Sequence, residues 1–110
     1  QSRIILDGQF EIVEKNPYTN TIYAVDRDLF CIEAKGITRV ELYNPPTSRR
    51  QSFRDLECLN AHELLITSSV GLYHVKNGTA AMYDIKDGLV SSSLYGIHYY
   101  QSENCVFVGT

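Results

Sequence analysis

The feature that most constrains this chain is a two-residue alternation of apolar and polar side chains. It runs through short segments such as 21–25, 71–75 and 94–99, which are rich in Ile, Val, Tyr and Thr. Successive side chains of a β-strand point to opposite faces, so this period predicts half-buried strands. Turn-forming pairs such as Asn77-Gly78 and Asp87-Gly88 separate the segments. The pattern predicts an all-β meander of hairpins.

Residues 52–59 are the one segment with a competing helical pattern, since Phe53, Leu56 and Leu59 recur at helical spacing. No glycine follows them to end a helix. We therefore expect a strand here as well.

The composition is that of one small folded domain. The chain has 110 residues, of which 44% are hydrophobic and 21% are charged, and its net charge is -3. The only adjacent basic pair is Arg49-Arg50, so we do not expect binding to nucleic acid. No apolar run approaches the length of a membrane-spanning helix. The chain begins at Gln1 without a leader-like segment, which we interpret as a mature product or a cut chain.

An internal repeat gives the second constraint. Residues 29–40 align without a gap on residues 64–75, so that apolar positions and one glycine coincide. The chain end, 106–110, aligns on 64–68 at a larger offset. The two offsets are 35 and 42 residues. A unit of four strands at this spacing is typical of a β-propeller blade.

These observations predict an all-β fold that is a fragment of a β-propeller. Residues 21–53 and 55–84 would each form a full four-stranded blade, with half blades at 1–13 and 93–110. Such a fragment exposes strand edges and apolar blade faces, which favour association. We expect either further blades in a longer parent chain or a homodimer in which complementary half blades complete each other.

One part of the chain resembles a known family. Gly71-Leu72-Tyr73, Asp87-Gly88-Leu89 and Val106-Phe107-Val108-Gly109-Thr110 follow one another within residues 63–110. Their order resembles the repeat of the two-component-regulator propeller. The similarity over residues 21–60 is weaker, because the Asp-Gly-Leu element is missing there.

The resemblance implies a role in signalling. Propellers of this family form the extracytoplasmic sensor region of membrane-bound hybrid two-component histidine kinases. The segment would then lie in the periplasm, bind an oligosaccharide or a similar small ligand, and signal to a cytoplasmic kinase without being an enzyme itself. Two alternatives are a protein-interaction scaffold and a part of a propeller enzyme that blades outside this chain complete.

The reactive side chains show no motif that assigns chemistry. His62, His74 and His98 lack the His-x-His or His-Glu-x-x-His spacing of a metal site. No nucleophile elbow, dinucleotide-binding fingerprint or P-loop is present in the sequence. We therefore expect no catalytic residue, no metal and no cofactor, and we assign no ligand-binding residues.

The cysteines are expected to be structural. Cys31, Cys58 and Cys105 form no Cys-x-x-Cys pair, and each has apolar neighbours. Free cysteines among apolar residues behave as small hydrophobes, so we predict that all three are buried.

The inter-blade loop over residues 86–92 is the segment most suited to contact a ligand. Lys86, Asp87 and Ser91-Ser92-Ser93 supply polar groups there. The eight tyrosines suit sugar faces and protein interfaces, but they equally suit packing within blades.

Overall fold

The computed structural model of the chain describes residues 10–42, 51–83, 86 and 94–109. Within these residues there are ten β-strands and a short 3-10 helix. The strands are β1 (Ile12–Lys15), β2 (Ile22–Asp26), β3 (Asp28–Glu33), β4 (Gly36–Val40), β5 (Phe53–Asn60), β6 (Glu63–Ser68), β7 (Leu72–Lys76), β8 (Thr79–Tyr83), β9 (Gly96–Tyr100) and β10 (Cys105–Gly109). The 3-10 helix, Gln101–Glu103, joins β9 to β10.

The strands form three antiparallel sheets in which chain neighbours pair. The first sheet has the order β1-β2-β3-β4, the second has the order β5-β6-β7-β8, and the third contains β9 and β10. No sheet closes on itself in the described part of the chain. The predicted all-β class is confirmed, and residues 53–60 form a strand instead of a helix.

The second sheet lies between the other two. One of its faces carries Leu56 and Ile66, which belong to a hydrophobic core shared with the first sheet. The opposite face carries Asp55 and Thr67, and the Thr67 hydroxyl donates a 3.0 Å hydrogen bond to the Tyr95 carbonyl beside the third sheet. The first strands β1, β5 and β9 lie side by side along this stack.

Two hydrogen bonds join the first strands of successive sheets at the same spacing. The Phe53 N–H donates to the Glu11 carboxylate at 3.2 Å, and the Ile97 N–H donates to the Asp55 carboxylate at 3.0 Å. Each bond spans 42 residues. The second strands β6 and β10 begin at the same spacing. Corresponding residues of the two bonds, such as Glu11 and Asp55, stand 44 residues apart, and equivalent strands begin 41 to 44 residues apart. The structural repeat is therefore close to the larger of the two offsets in the sequence.

The offset of 35 residues does not relate equivalent strands. It places β3 and β4, the third and fourth strands of the first sheet, on β6 and β7, the second and third strands of the next. All strands alternate with a period of two, so two strands that are not equivalent can still be aligned with their apolar positions superposed. The apolar match at this offset carries no information about strand order.

The first sheet has different bounds from the blade predicted over residues 21–53. It spans residues 12–40, because the turn at Asn16-Pro17 joins β1 to β2 within one sheet. Phe53, placed at the end of that blade, begins the second sheet. Residues 43–50, which belong to that predicted blade, lie outside the described residues.

The second and third sheets overlap the ranges predicted for the second blade and for the last half blade. The second sheet spans 53–83, where a blade was placed at 55–84. The two strands of the third sheet lie within the half blade placed at 93–110. Of the half blade placed at 1–13, residues 1–9 lie outside the described residues.

Candidate ligand-binding cleft

A cleft of about 670 Å³ opens between the first and second sheets. It lies where the β1–β2, β3–β4, β5–β6 and β7–β8 turns meet, and its volume is typical of small-molecule sites. Both sheets contribute to its lining: Thr19, Asn20, Thr21, Tyr23, Leu29, Cys31, Glu33, Ala34, Lys35 and Val40 from the first, and Ala61, His62, Leu64, Val75, Asn77 and Gly78 from the second.

Buried apolar side chains of the facing strands form the floor of the cleft. Leu29 and Val40 come from the first sheet, and Leu64 and Val75 come from the second. All four belong to the hydrophobic core that continues below the cleft. Because a close-packed interior deforms little, a bound ligand would contact a rigid apolar surface.

Polar side chains on the turns form the rim. Glu33 and Lys35 lie at the β3–β4 turn, while His62 and Asn77 lie on the turns of the second sheet. The Asn77 N–H donates a 3.0 Å hydrogen bond to the His62 carbonyl and so ties these two turns together. Asn77 and Gly78 have φ of 52° and 81°, as a two-residue hairpin turn requires. The rim therefore offers hydrogen-bond donors and acceptors at fixed positions around an apolar floor.

A buried asparagine holds one wall of the cleft. Asn16 is 0% exposed, and its side-chain NH₂ donates to the Tyr23 hydroxyl and to the Asn60 carbonyl, both at 3.2 Å. Its side-chain oxygen accepts the Tyr18 N–H at 2.8 Å. These bonds join the first sheet to the second and fix the position of Tyr23, which lines the cleft.

In the sequence, Asn16-Pro17 indicates only a turn, so the sequence does not predict the role of Asn16. One signal points to it. Asn16 and Asn60 stand 44 residues apart, each where the first strand of a four-stranded sheet ends. Two asparagines at nearly the repeat spacing mark equivalent turns.

Burial raises the pKa of two side chains of the cleft wall, Tyr23 and Cys31. It raises the pKa of the Tyr23 hydroxyl above its ordinary value of 10.0, against the lowering effect of the hydrogen bond from Asn16. It also raises the pKa of the Cys31 thiol above 9.0, with the charge of Glu33 adding to the effect. The wall thus presents a hydroxyl and a protonated thiol at neutral pH, and a protonated thiol is a poor nucleophile.

The three histidines lie in separate places. His62 is on the rim of the cleft, His74 contacts the Glu63 carboxylate at 2.5 Å across β6 and β7, and His98 stacks on Tyr100 with ring centroids 6.0 Å apart. In the described ranges, no group of three or more His, Cys, Asp and Glu side chains is arranged to hold a metal ion.

The cysteines differ in exposure. Cys58 is buried as predicted, Cys31 is half-buried, and Cys105 is exposed. The prediction of burial is wrong for Cys105 because β10 is paired only with β9 among the described strands, which leaves its surroundings open. All three thiols are free.

The loop predicted to contact a ligand lies mostly outside the described residues, which include only Lys86 from it. Asp87 and Ser91-Ser92-Ser93 are among the residues not described. The last described residue of the second sheet before that loop is Tyr83, at the end of β8. In an antiparallel sheet this end is opposite to the β7–β8 turn, so the cleft lies at the other end of the sheet.

Comparison of the chain with known protein families, with curated proteins and with solved structures finds no significant match. Among the described residues, no helix has the length and apolar character needed to cross a membrane.

Proposed function

We propose that this chain is a non-catalytic segment of a β-propeller that binds a small, neutral, polar ligand of the oligosaccharide class in the cleft. The observation that carries the proposal is the lining of the cleft, in which polar rim groups surround an apolar floor. A sugar ring has an apolar face and a belt of hydroxyl groups, so it needs both kinds of surface. The hydroxyl of Tyr23 and the thiol of Cys31 add uncharged polar groups to the wall of the cleft.

The propeller assignment is supported by how the units repeat. The first strands lie side by side, and equivalent inter-sheet hydrogen bonds recur 44 residues apart along the chain. A propeller places four-stranded sheets around an axis in the same way, with each sheet packed on the next. Two four-stranded sheets and a third pair of strands would form one side of such a ring.

The sensor role is supported by the order of the repeat elements from Gly71 to Thr110. In this proposal the segment belongs to the periplasmic sensor region of a membrane-bound hybrid two-component histidine kinase. The cleft contacts two sheets at once, so a bound ligand would favour one angle between them. Signalling then follows as a shift of population, which requires different ligand affinities for the two geometries.

A protein-interaction scaffold is the second candidate function. It is favoured by large apolar side chains exposed on the first sheet, among them Val13 and Ile37. A scaffold would bind a protein partner with no dependence on glycans.

A glycan-array screen with the intact chain, followed by calorimetry on the retained glycan, tests the sensor proposal. Glu33→Gln removes a rim charge, and Glu103→Gln is the matched control on the exposed 3-10 helix. We expect Glu33→Gln to weaken binding about tenfold, as the loss of a charge-assisted hydrogen bond does. Glu103→Gln should leave the affinity unchanged. Retention of no glycan, or equal affinities for the two variants, would contradict the assignment of the cleft.

Product analysis separates the sensor from a propeller enzyme. The retained glycan, incubated with the chain, should be recovered intact. Cleavage or modification of the glycan would replace the binding proposal with a catalytic one.

A further inference from the structure

The side-chain amide of Asn16 has only one orientation that its partners allow. The Tyr18 N–H, 2.8 Å from one end of the amide, can only donate, so this end is the oxygen. The Asn60 carbonyl, 3.2 Å from the other end, can only accept, so this end is the NH₂ group. The same NH₂ group lies 3.2 Å from the Tyr23 hydroxyl oxygen, which therefore accepts a hydrogen bond from it.

The hydrogen of the Tyr23 hydroxyl needs a different partner. A hydroxyl has one hydrogen to donate, and the Asn16 group that faces it is itself a donor. Burial raises the pKa of Tyr23 above 10.0, so the hydroxyl keeps this hydrogen at neutral pH. Across residues 10–42, 51–83, 86 and 94–109, the bond from Asn16 is the only hydrogen bond of this hydroxyl. Tyr23 is 6% exposed, and a buried donor without an acceptor is unfavourable.

An acceptor can reach this hydrogen from the cleft. Tyr23 lines the cleft beside Cys31, its partner across β2 and β3, and a thiol is only a weak acceptor. Leu29 and Val40, on the floor of the same sheet, have no polar side-chain atom. The hydroxyl is thus a donor in a largely apolar part of the cleft. A hydrogen bond formed there is stronger than one formed in open water.

We propose that the Tyr23 hydroxyl donates a hydrogen bond to an oxygen atom of the ligand bound in the cleft. This inference rests on the proposed function, which places a sugar ring there. It adds a requirement that the lining alone does not give. The ring must present an oxygen with an available lone pair, such as its ring oxygen, to the wall formed by Tyr23.

A pair of small probes with the same ring shape tests this requirement. Tetrahydropyran has the six-membered ring and the ring oxygen of a sugar, while thiane has sulfur, a weak acceptor, in place of that oxygen. We measure their affinities by NMR titration of the ¹⁵N-labelled chain, of Tyr23→Phe and of Tyr99→Phe. Tyr99→Phe is the matched control, because it removes a tyrosine hydroxyl from the third sheet, where it lies 3.4 Å from the Asn104 side-chain oxygen.

We expect tetrahydropyran to shift the amides of residues 19–23 and to bind Tyr23→Phe about tenfold more weakly than the unmodified chain. Tyr99→Phe should bind both probes as the unmodified chain does. The affinity for thiane should change less than about twofold in Tyr23→Phe, because no strong hydrogen bond is lost. An equal loss for the two probes would show that the substitution only deforms the cleft, and it would overturn the proposal.

The unmodified chain gives a second comparison, which holds even if Tyr23→Phe does not fold. Tetrahydropyran should bind more tightly than thiane, although thiane is the more apolar ring. The reverse order, or no binding of tetrahydropyran, would overturn the proposal. Binding of tetrahydropyran in the cleft without dependence on Tyr23 would overturn this inference alone and leave the proposed function standing. A glycan array that retains nothing would instead contradict the proposed function, whereas Tyr23-dependent binding of tetrahydropyran would still support the donor.

Discussion

Removal of the Asp55 side chain should loosen the stack of sheets more than any other single carboxylate change. Its two oxygens accept hydrogen bonds from the Leu56 N–H at 2.9 Å and from the Ile97 N–H at 3.0 Å. The second of these bonds joins the second sheet to the third. Both donors belong to buried residues. Asp55→Ala therefore leaves two backbone donors without their acceptor.

The magnitude follows from the cost of an unsatisfied buried donor, which is about 1–3 kcal/mol. Water reaches part of this half-buried site, so we expect Asp55→Ala to lower the free energy of unfolding by about 2–4 kcal/mol. Asp55→Asn keeps one carbonyl acceptor and should cost about 1 kcal/mol. Both variants also relieve a repulsion with Glu57, whose pKa is raised by burial and then by the charge of Asp55.

Equilibrium urea unfolding, followed by far-UV circular dichroism, measures these differences. Glu11→Ala is the matched variant, because Glu11 makes the corresponding bond from the first sheet to Phe53, at 3.2 Å. We expect it to cost about 1 kcal/mol, since one donor is affected instead of two. A loss below about 0.5 kcal/mol for Asp55→Ala, or a loss smaller than that of Glu11→Ala, would refute the reasoning.

Two further predictions concern the second sheet. Gly71→Ala should lower the melting temperature and cost about 1–3 kcal/mol, because an added Cβ would lie 2.4 Å from the Tyr83 carbonyl oxygen. Gly96→Ala, where a Cβ meets nothing within 4 Å, is the control, and equal thermal shifts would count against this packing. The hydrogen bond from His74 lowers the pKa of Glu63 below 4.5. The resulting stabilisation should be complete above pH 4.5 and be lost as the pH falls through the lower pKa of the folded state. Glu63→Gln should therefore reduce the loss of unfolding free energy at acidic pH. An unchanged loss would argue against the interaction between His74 and Glu63.

Local sequence patterns were sufficient to predict strands, because the period of two is a property of each segment. Residues 94–99 illustrate this, since their alternation lies over strand β9. The sequence did not show which strands belong to the same sheet. Turn residues such as Asn16-Pro17 look the same within a sheet as between sheets, and only the pairing of β1 with β2 distinguishes the cases.

The cleft could not be predicted from the sequence. Tyr23 and Leu64 come together there only because two sheets stack, and neither residue has a distinctive local pattern. The spacing of Asn16 and Asn60 is a weak sign of this stacking in the sequence. The sign can be recognised only when the strand order is already known.

The most direct test of the binding proposal is an NMR titration of the ¹⁵N-labelled chain with the glycan that the array retains. The proposal predicts amide shift changes centred on residues 19–23, 33–35, 61–62 and 77–78, which surround the cleft. Residues 96–100 of the third sheet should keep their shifts. Changes centred on the third sheet, or a bound glycan that leaves the cleft amides unchanged, would contradict the proposal.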